Sequence, residues 1–363
     1  MHPAAWVPFL ALVVAGAPAQ ARAQGVRTGA ELYREACVAC HGRDGRGASQ
    51  ALTGLDIPVP DFTDCRFGTP EPDSDWLAVS HDGGPARGFD RRMPAFGEAL
   101  AVEELQRAID HIRAFCTNRA WPRGELNLPR AFVTEKAFPE NEVVITTAVS
   151  TGEVSNDFLY ERRVGPRSMF EVKVPIDVVE QEGAGWQKGL GDVAVAVKHA
   201  VFHNRDAGSI LSVAGEVVFP TGKEDRGLGK GVTVVEPFVA FGQILPADGF
   251  LQAQVGMELP TSRDVAQNEA FVRLAIGQSY SQARWGRTWS PMVELLGARE
   301  LVSGEPTIWD LLPQVQVTLS RRQHIMANAG LRVPLNAREG RQTRFLVYLL
   351  WDWFDGGFFE AWR

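Results

Sequence analysis

The stretch that decides the fold of the first part of the chain is CVACH, Cys37 to His41. Two cysteines separated by two residues and followed by a histidine form the attachment sequence of a c-type haem. On a helical turn the two thiols reach the two vinyl groups of the haem, and His41 lies under the iron as its proximal ligand. A thioredoxin-like dithiol is the alternative, but it needs a strand–helix–strand setting and no histidine. The sequence therefore predicts one haem c, covalently attached through Cys37 and Cys40.

Helical periodicity surrounds this motif on both sides. TGAELYREACVACHG places Gly29 and Tyr33 four residues apart, on one face of a helix. VEELQRAIDHIRAF repeats apolar side chains at helical spacing, from Leu105 to Phe115. The two segments resemble the first and last helices of a class I cytochrome c, which pack across each other. The resemblance implies an all-α cytochrome domain over residues 24–116.

The same resemblance implies the second axial ligand of the iron. RRMPAFGEAL is similar to the M-P-x-F loop that presents the distal methionine in class I cytochromes, which assigns this role to Met93. A His/Met pair raises the reduction potential of the iron. His81, in a glycine-rich loop, is the rival ligand. The carbonyl of Pro58 or Pro60 is expected to accept a hydrogen bond from the other ring nitrogen of His41.

Two cysteines, Cys65 and Cys116, lie outside the haem motif, so a second haem c is excluded. In an exported domain an even pair of remaining cysteines predicts a disulfide. Two buried free thiols are the alternative. A bridge closing a loop of about 50 residues stabilises a domain by about 4 kcal/mol in the chain-entropy treatment.

The N-terminus has the pattern of a secretory signal. Residues 5–17, AWVPFLALVVAGA, form a short apolar segment, and small residues flank Arg22 before Gln24. The sequence predicts a signal peptide over residues 1–23 and export of the remaining chain. The next break lies at 117–141, where Pro122, Gly124 and Pro129 interrupt any regular pattern, and this segment is expected to be a linker.

From Glu142 onward the hydrophobic period changes from 3.6 to 2. In PQVQVTLS, Val315 and Val317 alternate with Gln314 and Gln316. About twelve such runs, separated by turn signals, predict an all-β antiparallel barrel over residues 142–363. A soluble β-sandwich is the alternative. Long strands, a small polar counter-face and tryptophans near the strand ends favour an outer-membrane barrel.

Two further stretches carry a family resemblance. KGLGDVAVAVKHAVF, residues 188–202, and VVFPTGKEDRGLGKG, residues 217–231, resemble outer-membrane barrels of the meta-pathway phenol-degradation group, which are classed as transporters. A cytochrome placed ahead of such a barrel resembles the outer-membrane cytochrome–porin fusions associated with iron oxidation and extracellular electron transfer. The resemblance leaves direct metal oxidation by this chain open.

Composition and motifs narrow the function further. The chain is 45% hydrophobic and 22% charged with a net charge of −7, which argues against disorder and against nucleic-acid binding. No P-loop, G-x-S-x-G or H-E-x-x-H sequence is present. With His41 and Met93 both bound, the iron keeps no open position for a substrate. The sequence therefore predicts an electron-transfer protein rather than an enzyme.

Three functions are consistent with this organisation. The first is electron transfer at or across the outer membrane, with a periplasmic haem domain and a barrel in the outer-membrane lipid. The second is an outer-membrane solute transporter whose cytochrome serves as a plug or redox sensor. The third is a soluble periplasmic electron carrier with an accessory β-domain. The expected partners are redox proteins or an external electron donor or acceptor.

Overall fold

The computed structural model describes residues 26–55 and 59–353. The predicted signal peptide, residues 1–23, and Pro58 therefore lie outside the described residues. None of the helices in these ranges is both long enough and apolar enough to cross a membrane. The described residues form a helical part followed by a β part.

The helical part consists mainly of short helices. Within the described ranges these are α1 (Gly29–Ala36), α2 (Val38–His41), α3 (Gln50–Thr53), α4 (Cys65–Gly68), α5 (Asp73–Asp82) and α6 (Val102–Arg113). A 3-10 helix, Gly84–Arg87, follows α5. A capping box starts α1: the Thr28 hydroxyl accepts from the Glu31 N–H, and the Glu31 carboxylate accepts from the Thr28 N–H.

The first and last helices cross at Gly29. A Cβ atom built on Gly29 would lie 2.1 Å from the carbonyl oxygen of Arg107 in α6, so any larger residue would force the helices apart. One turn later Tyr33 is buried, with its ring centroid 5.4 Å from that of His111 and 5.3 Å from that of Phe115. This is the helix crossing that the class I resemblance predicts.

A disulfide links the two ends of the region that follows α3. Cys65 at the start of α4 is bonded to Cys116 beyond the end of α6, with 51 residues of sequence separation and Cα atoms 5.2 Å apart. The disulfide predicted from the remaining cysteines is confirmed. It fixes the start of α4 to the point where the chain leaves the helical part.

The β part is a single antiparallel sheet that closes on itself. Its segments are β1 (Glu142–Ser150), β2 (Glu153–Val164), β3 (Ser168–Gln181), β4 (Gly185–Leu190), β5 (Val193–Asn204), β6 (Ser209–Phe219), β7 (Val234–Leu245), β8 (Gly249–Pro260), β9 (Glu269–Gln278), β10 (Tyr280–Ser281), β11 (Thr288–Glu300), β12 (Ile308–Thr318), β13 (Ile325–Pro334) and β14 (Arg344–Asp352). The segments β4 and β5 form one interrupted strand, as do β9 and β10, which gives twelve barrel strands. Pairing of β1 with β14 closes the barrel. The predicted fold, a helical cytochrome domain followed by a barrel of about twelve strands, is confirmed.

Side chains alternate between the outer surface and the lumen of the barrel. On β12, Val315 faces outward and is 41% exposed, whereas Gln314 and Gln316 are buried inside. On β14, Phe345 is 50% exposed and Tyr348 is buried. Valine, leucine, isoleucine and phenylalanine occupy outward positions on most strands. A closed barrel with this apolar exterior suits lipid better than water.

The two ends of the barrel differ in the length of their connections. The short-turn end carries the turns 165–167, 205–208, 246–248, 282–287 and 319–324. The long-loop end carries two tight turns and the loops 220–233, 261–268, 301–307 and 335–343. The barrel begins and ends at the short-turn end, where the helical part also lies.

Candidate functional site

The CVACH segment forms the junction between α1 and α2. The N–H of His41 donates to the carbonyl of Cys37 at 2.9 Å, which places Cys37 and Cys40 on one helical turn. Both cysteines are free and half-buried. Burial, with a smaller contribution from the nearby Cys40, raises the pKa of Cys37 to about 11, so this thiol is neutral at pH 7. Two free thiols at this spacing fit the formation of two thioethers.

His41 has the environment of a neutral metal ligand. Its ring stacks on that of Phe62, with centroids 4.6 Å apart and planes inclined by 20°. Burial lowers the pKa of His41 to about 4, which keeps the imidazole neutral at physiological pH. The His41 Nδ1 atom is buried and has no hydrogen-bond partner among the described residues. A haem-ligating histidine needs an acceptor at its other nitrogen, and Pro58, one candidate, lies outside the described residues.

The tyrosine of α1 fixes the backbone beyond His41. The Tyr33 hydroxyl donates to the carbonyl of Gly42 at 2.7 Å and lies 3.3 Å from that of His41. This contact joins the helix crossing to the turn that follows the motif. The residues present therefore fit a covalently bound haem, for which Cys37 and Cys40 would form the thioethers and His41 would supply one axial nitrogen.

The structure positions the Met93 loop through a close contact at Gly84. The N–H of Gly84 donates to the Met93 carbonyl at 3.0 Å, and the Met93 N–H donates to the Asp90 carbonyl at 3.1 Å. A Cβ atom on Gly84 would lie 2.1 Å from the Asp90 carbonyl oxygen, so the close approach requires glycine. Met93 is half-buried. Its role as the distal ligand stays a prediction.

The rival ligand, His81, lies in the last turn of α5 rather than in the glycine-rich loop, and its ring is engaged elsewhere. Its Nδ1 lies 2.5 Å from an oxygen of Asp82, and its Nε2 lies 2.8 Å from the Arg284 guanidinium in the turn 282–287. Its ring also packs near Trp285, at a centroid distance of 6.0 Å. Both ring nitrogens have protein partners, and this arrangement disfavours His81 as an iron ligand.

The segment 117–141, which the sequence analysis treats as a linker, enters the barrel. Leu126 and Phe138 are buried in one apolar cluster with the lumen residues Ala200, Ile210 and Phe238. Between them, Leu128 and Ala131 belong to a second lumen cluster, together with Phe250 and Met292. We call residues 126–140 the plug, because their side chains fill the lumen. The lumen therefore contains aromatic side chains, whereas the sequence predicts a small and polar lumen face.

Lumen side chains also bond the backbone of the plug. Glu294 on β11 accepts hydrogen bonds from the N–H groups of Phe132 and Thr134, at 2.9 and 2.6 Å. Tyr348 donates to the carbonyl of Arg130 at 2.7 Å. The plug has almost no regular secondary structure, so these lumen groups supply partners that a helix or strand would otherwise provide.

Buried ion pairs hold the centre of the plug. Arg130 contacts the carboxylates of Glu142 and Glu161, the latter at 3.0 Å, and both carboxylates are almost fully buried. Lys136 pairs with Glu140 and, at 3.1 Å, with Glu142. These charged side chains are largely removed from solvent, so each plug cation compensates strand carboxylates.

Comparison with known proteins identifies the helical part. Residues 24–112 match the family described as cytochrome c oxidase, cbb3-type, subunit III. This part of the chain is a cbb3-type cytochrome c domain. No curated protein matches the chain.

The barrel resembles solved outer-membrane porins and channels. An outer membrane channel from Pseudomonas putida F1 is 12% identical and has a TM-score of 0.45, covering 62% of this chain and 100% of that one. The KdgM porin is 8% identical with a TM-score of 0.39, covering 58% and 99%. The β domain of the Bordetella autotransporter BrkA is 15% identical with a TM-score of 0.41, covering 59% and 100%. These likenesses are distant, and the description of the barrel rests on its own strand pairing.

The cytochrome domain docks on the short-turn end of the barrel through a carboxylate shared by three arginines. Asp73, at the start of α5, accepts from Arg113 at 3.0 Å, from Arg123 at 2.7 Å and from Arg205 at 3.0 Å. Arg113 belongs to the cytochrome domain, Arg123 to the segment before the plug, and Arg205 to a barrel turn. Burial opposes ionisation, but the three guanidiniums hold the pKa of Asp73 below its usual value. One carboxylate therefore joins three parts of the chain.

A second group of contacts extends this docking along α5. The Arg87 guanidinium donates to the Trp285 carbonyl at 2.7 Å and to Asp75. His324, in the turn 319–324, lies 2.9 Å from Glu71 of the cytochrome domain. Burial raises the pKa of Asp75 to about 6, against the opposing effect of Arg87. The cytochrome domain is thus fixed to several turns of the short-turn end.

Sequence reasoning did not find the plug or the docking residues. The plug has no hydrophobic period, and isolated arginines and lysines usually lie on solvated surfaces. One signal was available: Glu142, Glu161 and Glu171 occupy inward positions of consecutive strands. Carboxylates at such positions require buried cations, and Arg130 and Lys136 supply them.

Proposed function

We propose that the protein is a monohaem c-type cytochrome that transfers electrons at the outer membrane. In this proposal Cys37 and Cys40 hold the haem, and His41 and Met93 ligate its iron. The observation that carries the proposal is the buried, neutral His41 with an unpartnered Nδ1, next to two free cysteines in a cytochrome c domain. The bound haem supplies a one-electron couple at a site without an open coordination position.

The barrel supports a place in the outer membrane. Its outward side chains are apolar, and it has no free sheet edge, because β1 pairs with β14. In outer-membrane barrels the short turns face the periplasm and the longer loops face outward. The docked cytochrome domain then lies on the periplasmic side. This apolar exterior disfavours the soluble-carrier alternative.

The plug favours electron exchange at the membrane over transfer across it. The apolar band of such barrels is about 25 Å tall. The predicted haem residues belong to the domain at the short-turn end, and the lumen contains the plug rather than further haem motifs. Soluble periplasmic redox proteins are therefore the proposed partners, with the barrel holding the cytochrome domain at the membrane.

Ligand substitution combined with fractionation tests the proposal. Wild-type protein should give haem-stained outer-membrane fractions. Met93→Ala should lose the sulfur-to-iron charge-transfer band and lower the reduction potential, because the thioether favours reduced iron. His81→Ala is the matched control and should keep both properties. Retention of the band and potential in Met93→Ala, with their loss in His81→Ala, would overturn the ligand assignment. Haem in the soluble fraction would overturn the location.

A gated transporter is the second candidate function. Ion pairs, rather than a continuous apolar core, hold the centre of the plug, and a cavity of about 410 Å³ lies in the lumen against it. A solute entering from the long-loop end would meet this cavity first. Solute flux that persists in a haem-free Cys37→Ser/Cys40→Ser protein would favour transport, whereas a closed barrel in both proteins would favour the cytochrome role.

A further inference from the structure

Three arginines converge at the long-loop end of the barrel. Arg332 lies on β13, Arg341 in the loop 335–343 and Arg344 at the start of β14. Together they line a cavity of about 280 Å³ that also contains Asp310 and Glu153. We call these three residues the arginine cluster. It lies at the opposite end of the barrel from the cytochrome domain and takes no part in the proposed haem site.

The arginine cluster carries more positive charge than its carboxylates compensate. Two guanidiniums share Asp310: Arg332 contacts it at 2.6 Å, and Arg341 contacts its other oxygen. Arg344 pairs with Glu153 at 2.7 Å. Three cations therefore face two carboxylates. Each guanidinium has five N–H donors. Arg341 also donates to the Asn336 carbonyl at 3.1 Å, and these contacts within the described residues use fewer donors than the three guanidiniums offer.

The cluster is accessible to a solute. Asp310 is only 3% exposed, but the side chains of Arg332, Arg341 and Arg344 are 35%, 24% and 41% exposed. Arg332 and Arg344 line both this cavity and the larger lumen cavity. The three guanidiniums therefore face the open mouth of the barrel, rather than its lipid-facing surface.

The lumen wall that faces the arginine cluster carries the opposite charge. The wall formed by β2 to β9 and the loop 220–233 contributes five carboxylates to the larger cavity, against three cations. These carboxylates are Asp157, Glu171, Glu216, Glu236 and Glu258. In the closed order of strands, β6 and β7 lie opposite β13 and β14. An anion at the mouth is attracted by the arginine cluster and repelled by the facing wall, so it is held on the side of the cluster.

We propose that the arginine cluster binds a small soluble oxyanion that carries two or more negative charges. Guanidinium forks recognise carboxylate and phosphate oxygens through paired hydrogen bonds, and a multiply charged ligand compensates the excess positive charge. Polycarboxylates and phosphate share this chemistry. The site does not depend on haem, so its test is independent of the proposed electron transfer.

Calorimetric titration of the full chain in detergent with citrate tests the site. Arg341→Gln and Arg344→Gln, made separately, should each weaken citrate binding about tenfold, because each removes charge-assisted hydrogen bonds and the excess charge. Glu153→Gln should tighten binding by several fold, because it frees Arg344. Arg338→Gln is the matched control: it removes an exposed arginine of the same loop that does not line the cavity, and binding should not change.

Several results would overturn the proposal. One is that the wild-type protein gives no heat of citrate binding at citrate concentrations up to about 10 mM, ten times a millimolar Kd. Others are an equal loss of citrate affinity in Arg338→Gln and Arg341→Gln, weaker citrate binding in Glu153→Gln, or acetate binding as tightly as citrate. Heat-modifiable migration of each variant on a gel reports whether the barrel has folded, so that a folding defect is not mistaken for lost binding.

Discussion

Replacing Arg130 by glutamine should shift the plug toward a withdrawn state. Arg130 compensates two strand carboxylates, Glu142 and Glu161, whose side chains are 1% and 0% exposed. Lys136 still contacts Glu142 at 3.1 Å, so the variant chiefly removes the ion-pair partner of Glu161. Removing one partner of a buried ion pair costs about 3–5 kcal/mol. This shifts the equilibrium between the inserted and withdrawn plug by roughly 150- to 5,000-fold.

Single-channel recording in planar lipid bilayers measures this shift. The wild-type barrel should remain closed, and Arg130→Gln should show long open events, because water and ions replace the withdrawn plug. Urea unfolding of the same protein should show a lower free energy of unfolding. Arg162→Gln is the matched control, since Arg162 neighbours Glu161 in sequence but is exposed on the outer face of β2.

Two outcomes would contradict this account of the plug. The first is a wild-type barrel that already conducts as well as Arg130→Gln. The second is an Arg130→Gln protein that matches Arg162→Gln in both conductance and unfolding, which would mean that the buried pairs do not hold the plug.

Four further predictions concern the cytochrome domain. Gly29→Ala should lower its free energy of unfolding by about 1–3 kcal/mol through overpacking of the helix crossing, measured by urea denaturation. Cys65→Ser/Cys116→Ser should lower it by about 4 kcal/mol, seen as a lower melting temperature. Asp73→Asn should weaken the docking of the cytochrome domain on the barrel by about 3–5 kcal/mol and make the junction between them accessible to trypsin. Burial raises the pKa of Asp75 to about 6, above its unfolded value of about 3.9. The contribution of Asp75 to the free energy of unfolding is therefore fully present below about pH 4 and is lost as the pH rises through 6. Asp75→Asn should flatten this part of the pH profile of the melting temperature.

The parts of the structure that follow from the sequence are those with local signals. The CVACH motif, the Gly29–Tyr33 face and the alternation around Val315 each depend on residues close together in the chain. These signals predict a helical haem domain, a helix crossing and a barrel. The disulfide also follows, because only two cysteines remained outside the haem motif.

The parts that do not follow depend on distant partners. His81 has the sequence context of a loop ligand, but Arg284, far along the chain, occupies its Nε2. Asp73 looks like an ordinary acidic residue of a first helical turn, yet Arg205 of a barrel turn pairs with it. No local period or motif marks such contacts, since they form only when the barrel end and the cytochrome domain meet.

The order of the chain couples the docking of the cytochrome domain to closure of the barrel. Only nine residues, 117–125, separate Cys116 from the first plug residue, and Gly124 within them packs so tightly on Pro70 that a Cβ atom would lie 1.9 Å from its carbonyl oxygen. Arg123, one residue earlier, pairs with Asp73. The plug therefore cannot leave the lumen toward the short-turn end without breaking both the docking pairs and the buried pairs of Arg130 and Lys136. Each set costs several kcal/mol to break, so the resting protein keeps its barrel closed and its cytochrome domain fixed to the short-turn end.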